Sequence, residues 1–273
     1  MKIGDIEILP VVDGTVAIST RRAYGMKEVI PGRKGYDIED WEPHRYLLDA
    51  DGKVELTQGG YLVLTGDRVM LIDAGINDLG FGPFGGGQFL DSLRAYGYAP
   101  TDVTDVVITH LHADHMGWTS SNGELVFTNA VHRCDIRDWE FFQTIEPGPG
   151  QPPIERLALI EPRLETFDGS ANIAPGFDTV PAYGHTPGSA VVVLSSGTQR
   201  AMVLGDAVHC AVELLDDDWT RISDVDPDLA MRTRIALARE LEGSGTVVAG
   251  AHFPGLKMGR ILPGEGVRRW VMA

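Results

Sequence analysis

The stretch VVITHLHADHMGW, Val106 to Trp118, sets His110, His112, Asp114 and His115 within six residues, directly after a β-branched run. The whole chain holds only 8 histidines. Where a strand stops, an extended or tightly turning segment can aim several of these side chains at one point. Zinc takes imidazole nitrogen and carboxylate oxygen at about 2.0 to 2.2 Å, so its ligands must converge. Imidazole suits zinc, and a carboxylate helps to hold a second, harder ion. A lone histidine is usually a satisfied core or surface residue, but so many polar groups at the end of a buried strand are costly without a metal. Later strands end in the same chemistry. FDTVPAYGH ends at His185, AMVLGD at Asp206 and TVVAGAH at His252. Five histidines and two aspartates are enough for two ions. His44 and His132 stand outside this pattern and read as ordinary surface or loop residues.

The elements that must position these residues are legible in part. IEILPVVDG and YLVLTGDRVMLIDAG are apolar and β-rich, and the second carries a Gly-Asp turn between two apolar runs, a hairpin signal. It ends in the turn Asp73-Ala74-Gly75. Thr20 to Gly60 is polar, aromatic and irregular, an excursion expected to serve as a lid or a dimer arm. Residues 79 to 87, LGFGPFGGG, read as a flexible loop, because neither a P-loop lysine nor a clean GxGxxG is present. Gln88 to Tyr96 reads as a helix, Val103 to Thr109 as a strand, LVFTN as strand-like and CDIRDWEFFQ as helical. EPGPGQPP is a surface loop, with helical sequence resuming at Ile154. Two apolar strands, a helix from Asp228 to Glu242 and TVVAGAH then close the chain's second half. Two halves of similar grammar suggest two β-sheets with helices outside.

Composition narrows the partners. Lys+Arg is 23 and Asp+Glu is 39, a net charge of −16, which repels nucleic-acid phosphates and anionic membranes. Two cysteines, Cys134 and Cys210, make no disulfide framework and suggest a reducing compartment. There is no apolar leader and no transmembrane run, so a cytoplasmic protein is expected. The 273 residues read as one domain, 1–273, with its irregular excursion at about 20–60.

HxHxDH (His110 to His115), GHTPGS (Gly184 to Ser189), Gly205-Asp206, AHF (Ala251 to Phe253) and LIDAG (Leu71 to Gly75) together resemble the metallo-β-lactamase-fold hydrolase superfamily. The motifs stand in that family's order and cover about residues 57 to 255. The resemblance implies an α/β fold, the αββα four-layer sandwich, with the site at one edge of two facing sheets. It implies two divalent ions, zinc first, with manganese, iron or cobalt as alternatives. The first would be held by His110, His112 and His185, the second by Asp114, His115 and His252, with Asp206 and a hydroxide between them. Asp114 would carry the proton. Asp73 resembles the family's buried aspartate that steadies the motif loop, although a turn-capping role is the plain alternative.

His209, three residues after Asp206, stands where related acyl-homoserine lactonases carry a tyrosine, and resembles the branch containing methyl parathion hydrolase. It is expected to touch substrate or the surroundings of Asp206; a merely structural histidine is the alternative. Trp118 and Phe253 are expected to line a largely apolar pocket, with Phe84, Trp139, Phe142 and Trp219 as further candidates. Few basic residues in such a pocket would favour a neutral ester or lactone. The expected activity is dinuclear metal-dependent hydrolysis of a lactone or carboxylic ester. Phosphotriester hydrolysis is the runner-up; a mononuclear iron dioxygenase and a non-catalytic metal-binding protein are the other classes. Homodimers are frequent in the branch, so a second copy is a partner to test.

Overall fold

The structure is a computed structural model that describes residues 1–25, 35–146, 148–219, 221 and 223–273. One sheet contains β1 (Lys2–Ile3), β2 (Ile6–Ser19), β3 (Lys53–Thr65), β4 (Arg68–Ile72) and β5 (Asp105–Val107). A separate ribbon pairs β6 (Ser120–Ser121) with β7 (Glu124–Leu125), and β8 (Val131–Asp135) and β9 (Leu164–Phe167) complete the first sheet beyond β5. The second sheet follows chain order: β10 (Ala171–Ala174), β11 (Phe177–Pro181), β12 (Ala190–Ser196), β13 (Gln199–Val203), β14 (Val247–Ala249), β15 (Gly259–Leu262) and β16 (Arg269–Met272). The helices are α1 (Thr20–Tyr24), α2 (Phe89–Ala95), α3 (Ala113–Met116), α4 (Ile136–Phe142), α5 (Ile154–Ile160), α6 (Val212–Leu215) and α7 (Pro227–Leu241).

The period of two in each strand sorts side chains into layers. Tyr61, Val63, Met70, Ile72 and Val107 of the first sheet meet Phe177, Val192, Leu194, Val203 and Ala249 of the second in a shared central core. Their neighbours Leu62, Leu71 and Val106 face outward onto Phe89 and Leu93 of α2, Phe142 of α4 and Leu157 of α5. Val191, Val193, Met202 and Val248 likewise face Leu214 of α6 and Leu237, Ala238 and Leu241 of α7. Helix, sheet, sheet and helix therefore stack as expected, and each fully buried Leu, Ile or Val contributes about 1.5–3 kcal/mol of burial. Helix α7 begins cleanly because the Asp226 side chain accepts from the Leu229 backbone N–H and Pro227 fills its first turn. Within the first sheet β4, β5, β8 and β9 run parallel, and β13 and β14 run parallel in the second.

Several expected boundaries move. The strand expected over 103–109 is strand only at Asp105–Val107, with a helical turn at Pro100–Asp102 before it, and LVFTN contributes only Leu125 to a strand. The first strands are longer than expected: β2 runs on to Ser19 and β3 starts at Lys53, so 53–60 is not excursion. Ile38–Leu47 forms a 3-10 helix, while residues 26–34 of the excursion lie outside the described residues. So does residue 147 of the proline-rich loop. Trp41, Tyr24, Tyr36 and Trp219 form a buried aromatic cluster, with Tyr36 stacked on Trp219 at 3.9 Å, so the excursion carries its own small core. His132 is corrected: it is no surface residue but lies on β8, fully buried, because its register puts it inside the sheet. No helix among the described residues is long and apolar enough to cross a membrane.

Candidate metal centre

The seven residues singled out by type and spacing come together at one edge of the sandwich. His110, His112, Asp114 and His115 follow β5 and run into the short α3; His185, Asp206 and His252 follow β11, β13 and β14. His112 Nδ1 lies 2.9 Å from His110 Nε2 and 3.0 Å from His185 Nε2. Asp206 turns its two oxygens to different neighbours. Oδ2 lies 3.5 Å from His185 Nε2 and 3.9 Å from His110 Nε2; Oδ1 lies 3.1 Å from His252 Nε2 and 3.3 Å from His115 Nε2. Asp114 Oδ2 is 3.4 Å from His252 Nε2.

These residues form two groups, His110, His112, His185 with Asp206, and Asp114, His115 with His252, whose donor atoms within each group lie within 4.8 Å of one another. Donors around a tetrahedral zinc at about 2.0–2.2 Å sit about 3.3–3.6 Å apart, so the spacing fits. The chemistry fits as well. His115 Nε2 and Asp206 Oδ1 are buried and have no hydrogen-bond partner among the described residues. Burial holds the His110 imidazole well below its ordinary pKa, with His115 adding repulsion, and pushes His112 down to about 3, with His185 adding to it. Neutral rings present the lone pairs that a metal takes. Burial opposes the charge on Asp206, yet His252, His209 and His115 outweigh it and hold the carboxyl well below the usual range.

An outer layer of acceptors fixes the rings. His115 Nδ1 meets Asp73 Oδ2 at 2.9 Å, and Asp73 also accepts from the Thr109 backbone N–H at 2.7 Å and hydroxyl at 2.9 Å. Asp73 is 2 % exposed and sits at φ 61°, a strained backbone for a residue with a Cβ, so it does more than cap a turn. His185 Nδ1 meets Asp224 at 3.1 Å, and Arg234 binds the other oxygen of that carboxylate at 2.6 Å. His252 Nδ1 lies 3.0 Å from the Thr57 carbonyl. At Gly205, φ is 52° and a Cβ would fall 2.7 Å from Thr109 Oγ1, so only glycine lets Asp206 enter here.

Sequence reasoning missed three buried carboxylates around the centre, Asp13, Asp138 and Asp224. Asp138 ties the two motif loops together, accepting from the backbone N–H groups of Leu111 and Gly188 and from the Thr186 hydroxyl. Asp138 lies in the mixed run CDIRDWEFF and Asp224 in the acidic run SDVDPD, where a surface position explains either equally well.

The donors open onto a cleft of about 270 Å³, whose other walls include Leu56, Gln58, Phe81, Phe84, Gln151 and Arg221. His209 reaches it with Nε2 3.1 Å from Asp206 Oδ2. Burial opposes its charge, but Asp206 outweighs that and raises its pKa. Two expectations are corrected. Trp118 does not line the cleft; its Nε1 donates to Asp13 Oδ1 at 2.8 Å and its ring joins the core beneath α2. Phe253 is 2 % exposed and packs edge-on against Trp270 at 5.1 Å, beside a separate groove. Their places follow from hydrogen bonding and burial, which proximity in sequence does not report. Of the other aromatic candidates, Phe84 lines the cleft; Trp139 and Phe142 pack beneath the first sheet and Trp219 in the aromatic cluster. Among its lining residues the cleft carries one guanidinium, that of Arg221.

Residues 60–250 match the family described as the Metallo-beta-lactamase superfamily. A metallo-beta-lactamase domain-containing protein 1 of Xenopus laevis is 41% identical over 197 residues, 71% of this chain and 68% of that protein. An N-acyl homoserine lactonase of Bacillus thuringiensis is 24% identical over 188 residues, covering 63% of this chain and 71% of the lactonase. Among solved structures, AidC, described as a dizinc quorum-quenching lactonase, superposes with TM-score 0.83 at 23% identity, over 99% of this chain and 95% of AidC, a likeness of fold. With the family match spanning most of the chain and both sheets in place, the chain belongs to the metallo-beta-lactamase superfamily.

Proposed function

We propose that this metal-dependent hydrolase opens a lactone ring or cleaves a related carboxylic ester at a two-metal centre. His110, His112 and His185 would hold one divalent ion, Asp114, His115 and His252 the second, and Asp206 would span both. The observation that carries this reading is the division of Asp206, whose Oδ2 faces the first group and Oδ1 the second. Divalent ions in such a site bring the pKa of bound water to about 7 and polarise a carbonyl oxygen. Zinc is the first candidate, since imidazole dominates the donors. The similarity to N-acyl homoserine lactonases supports a small lactone as substrate.

The chain's own groups do the rest. Asp114, with its side chain 13% exposed at the cleft, is placed to take a proton and return it to the leaving oxygen. His209 holds Asp206 from the cleft side and presents its ring to a bound substrate. Glu213 in turn accepts from the His209 backbone N–H at 3.0 Å and from Tyr24. Leu56, Phe81 and Phe84 supply apolar surface for an acyl chain.

The test is turnover of γ- and δ-lactones, acyl-homoserine lactones, aryl esters and a phosphotriester by metal-replete protein, with metal content measured on the same sample. Lactone or ester turnover above the rest, with two ions per chain, is expected. Turnover of the phosphotriester alone, or one iron per chain, overturns the reading. In the same assay His209→Phe should keep both ions and lose about 10²-fold in turnover, the scale of removing one group that stabilises developing charge; full activity makes His209 structural.

A further inference from the structure

Arg221 lines the same cleft as His112, Asp114, Asp206 and His252. Its Nε and Nη1 are buried and have no hydrogen-bond partner among the described residues, and it forms no ion pair there. One flank is covered by Tyr24, whose ring centroid lies 5.5 Å from the guanidinium carbon. Glu213, the carboxylate that acts most strongly on its charge, is already engaged by Tyr24, by the His209 backbone and by Arg234 at 3.4 Å. A guanidinium is always charged, and burying its donors without a partner is costly. Arg234 shows how the chain settles such a residue when it is structural: it binds the Ala207 carbonyl at 2.9 Å and Asp224 at 2.6 Å. Arg221 has no such set. Its side chain forms part of the wall of the space a substrate would fill.

We propose that Arg221 selects the substrate by binding a carboxylate that the ester or lactone carries away from its scissile bond, so that the preferred substrate is anionic. That the substrate is an ester or lactone rests on the proposed hydrolase function; the anion site rests on the side chain alone. A carboxylate fits better than a phosphate dianion, because one guanidinium balances one charge, and surplus negative charge would face Asp114 and Asp206. In a chain of net charge −16 a local cation is also what an anion needs to enter.

Calorimetric titration of the metal-loaded protein with the dicarboxylates succinate, glutarate and adipate, each against its monoamide, tests this. Both members of a pair offer one carboxylate to the metal floor; only the diacid offers a second to Arg221. The best-fitting diacid should bind the wild-type protein about tenfold or more tighter than its monoamide, the usual worth of a charge-assisted hydrogen bond. In Arg221→Met the ratio should fall to about one, and Arg221→Lys should recover part of it. A wild-type ratio near one for every pair overturns the proposal without any variant, and an unchanged ratio in Arg221→Met overturns it too. Binding needs no turnover, so failure of the hydrolase reading and failure of the anion site are seen separately.

Discussion

Asp13 and Asp206 are both buried carboxylates, 0 % and 6 % exposed, yet they are satisfied in opposite ways. Asp13 accepts the backbone N–H groups of Ile76, Asn77, Gly87, Gln88 and Phe89 and the Trp118 indole N–H. Those donors close the loops beside the motif, and at Gly86 a Cβ would fall 2.1 Å from Asp13 Oδ2, so the glycine is needed for the approach. Asp206 leaves Oδ1 without a hydrogen bond and is ringed by imidazoles. A buried carboxylate with every oxygen filled by donors completes the fold. One that leaves an oxygen facing other donor-type ligands is prepared for something else.

The comparison is tested most sharply by Asp206→Asn. Turnover should fall by about 10³-fold, and metal content should drop with it, because the anionic link between the two donor groups is gone. The unfolding midpoint of the metal-free chain should change far less. Normal metal content and rate in this variant would remove Asp206 from the centre. Asp13→Ala should do the reverse. It strands six donors in the interior and should cost about 3–5 kcal/mol of stability, read from urea unfolding, while the folded fraction keeps its metal. Unchanged stability would show that Asp13 organises nothing.

The two aspartates were not equally legible. Asp206 ends the run AMVLGD, and its role could be suspected because His110, His112, His185 and His252 repeat the same chemistry at other strand ends. Asp13 sits in VVDGT, where Asp-Gly reads as a turn, although β2 continues to Ser19 through a bulge between Val12 and Gly14. Its partners lie 63 to 105 residues away, and nothing local announces them. The same holds for Asp138, which joins Leu111 to Gly188 across the sheets. The layered core was legible because strand alternation is local. The cleft walls were not, because Phe81, Gln151 and Arg221 meet only through tertiary folding. Trp118 shows the limit from the other side: it neighbours the motif in sequence, yet its indole is spent on Asp13.

His132 supplies the control for the whole comparison. It too is fully buried, and neither ring nitrogen has a hydrogen-bond partner among the described residues. No second ligand converges on it among the described residues, so an orphaned atom alone does not make a site. Burial pushes its pKa down to about 4, with Arg163 adding repulsion. The unfolded chain, with a histidine pKa near 6.5, therefore binds a proton that the folded chain refuses. Its contribution to stability is complete above about pH 6.5 and is lost as pH falls toward 4, by about 3 kcal/mol in all. Replacing it with an apolar residue of similar size removes both the orphaned nitrogens and this titration. In His132→Leu, urea unfolding from pH 7.5 to 4.5 should show a gain of about 1–3 kcal/mol at neutral pH that widens as the pH falls, with turnover unchanged. A difference between variant and wild type that stays flat with pH would mean that His132 titrates alike in the folded and the unfolded chain, and a loss of turnover would tie it to the centre after all.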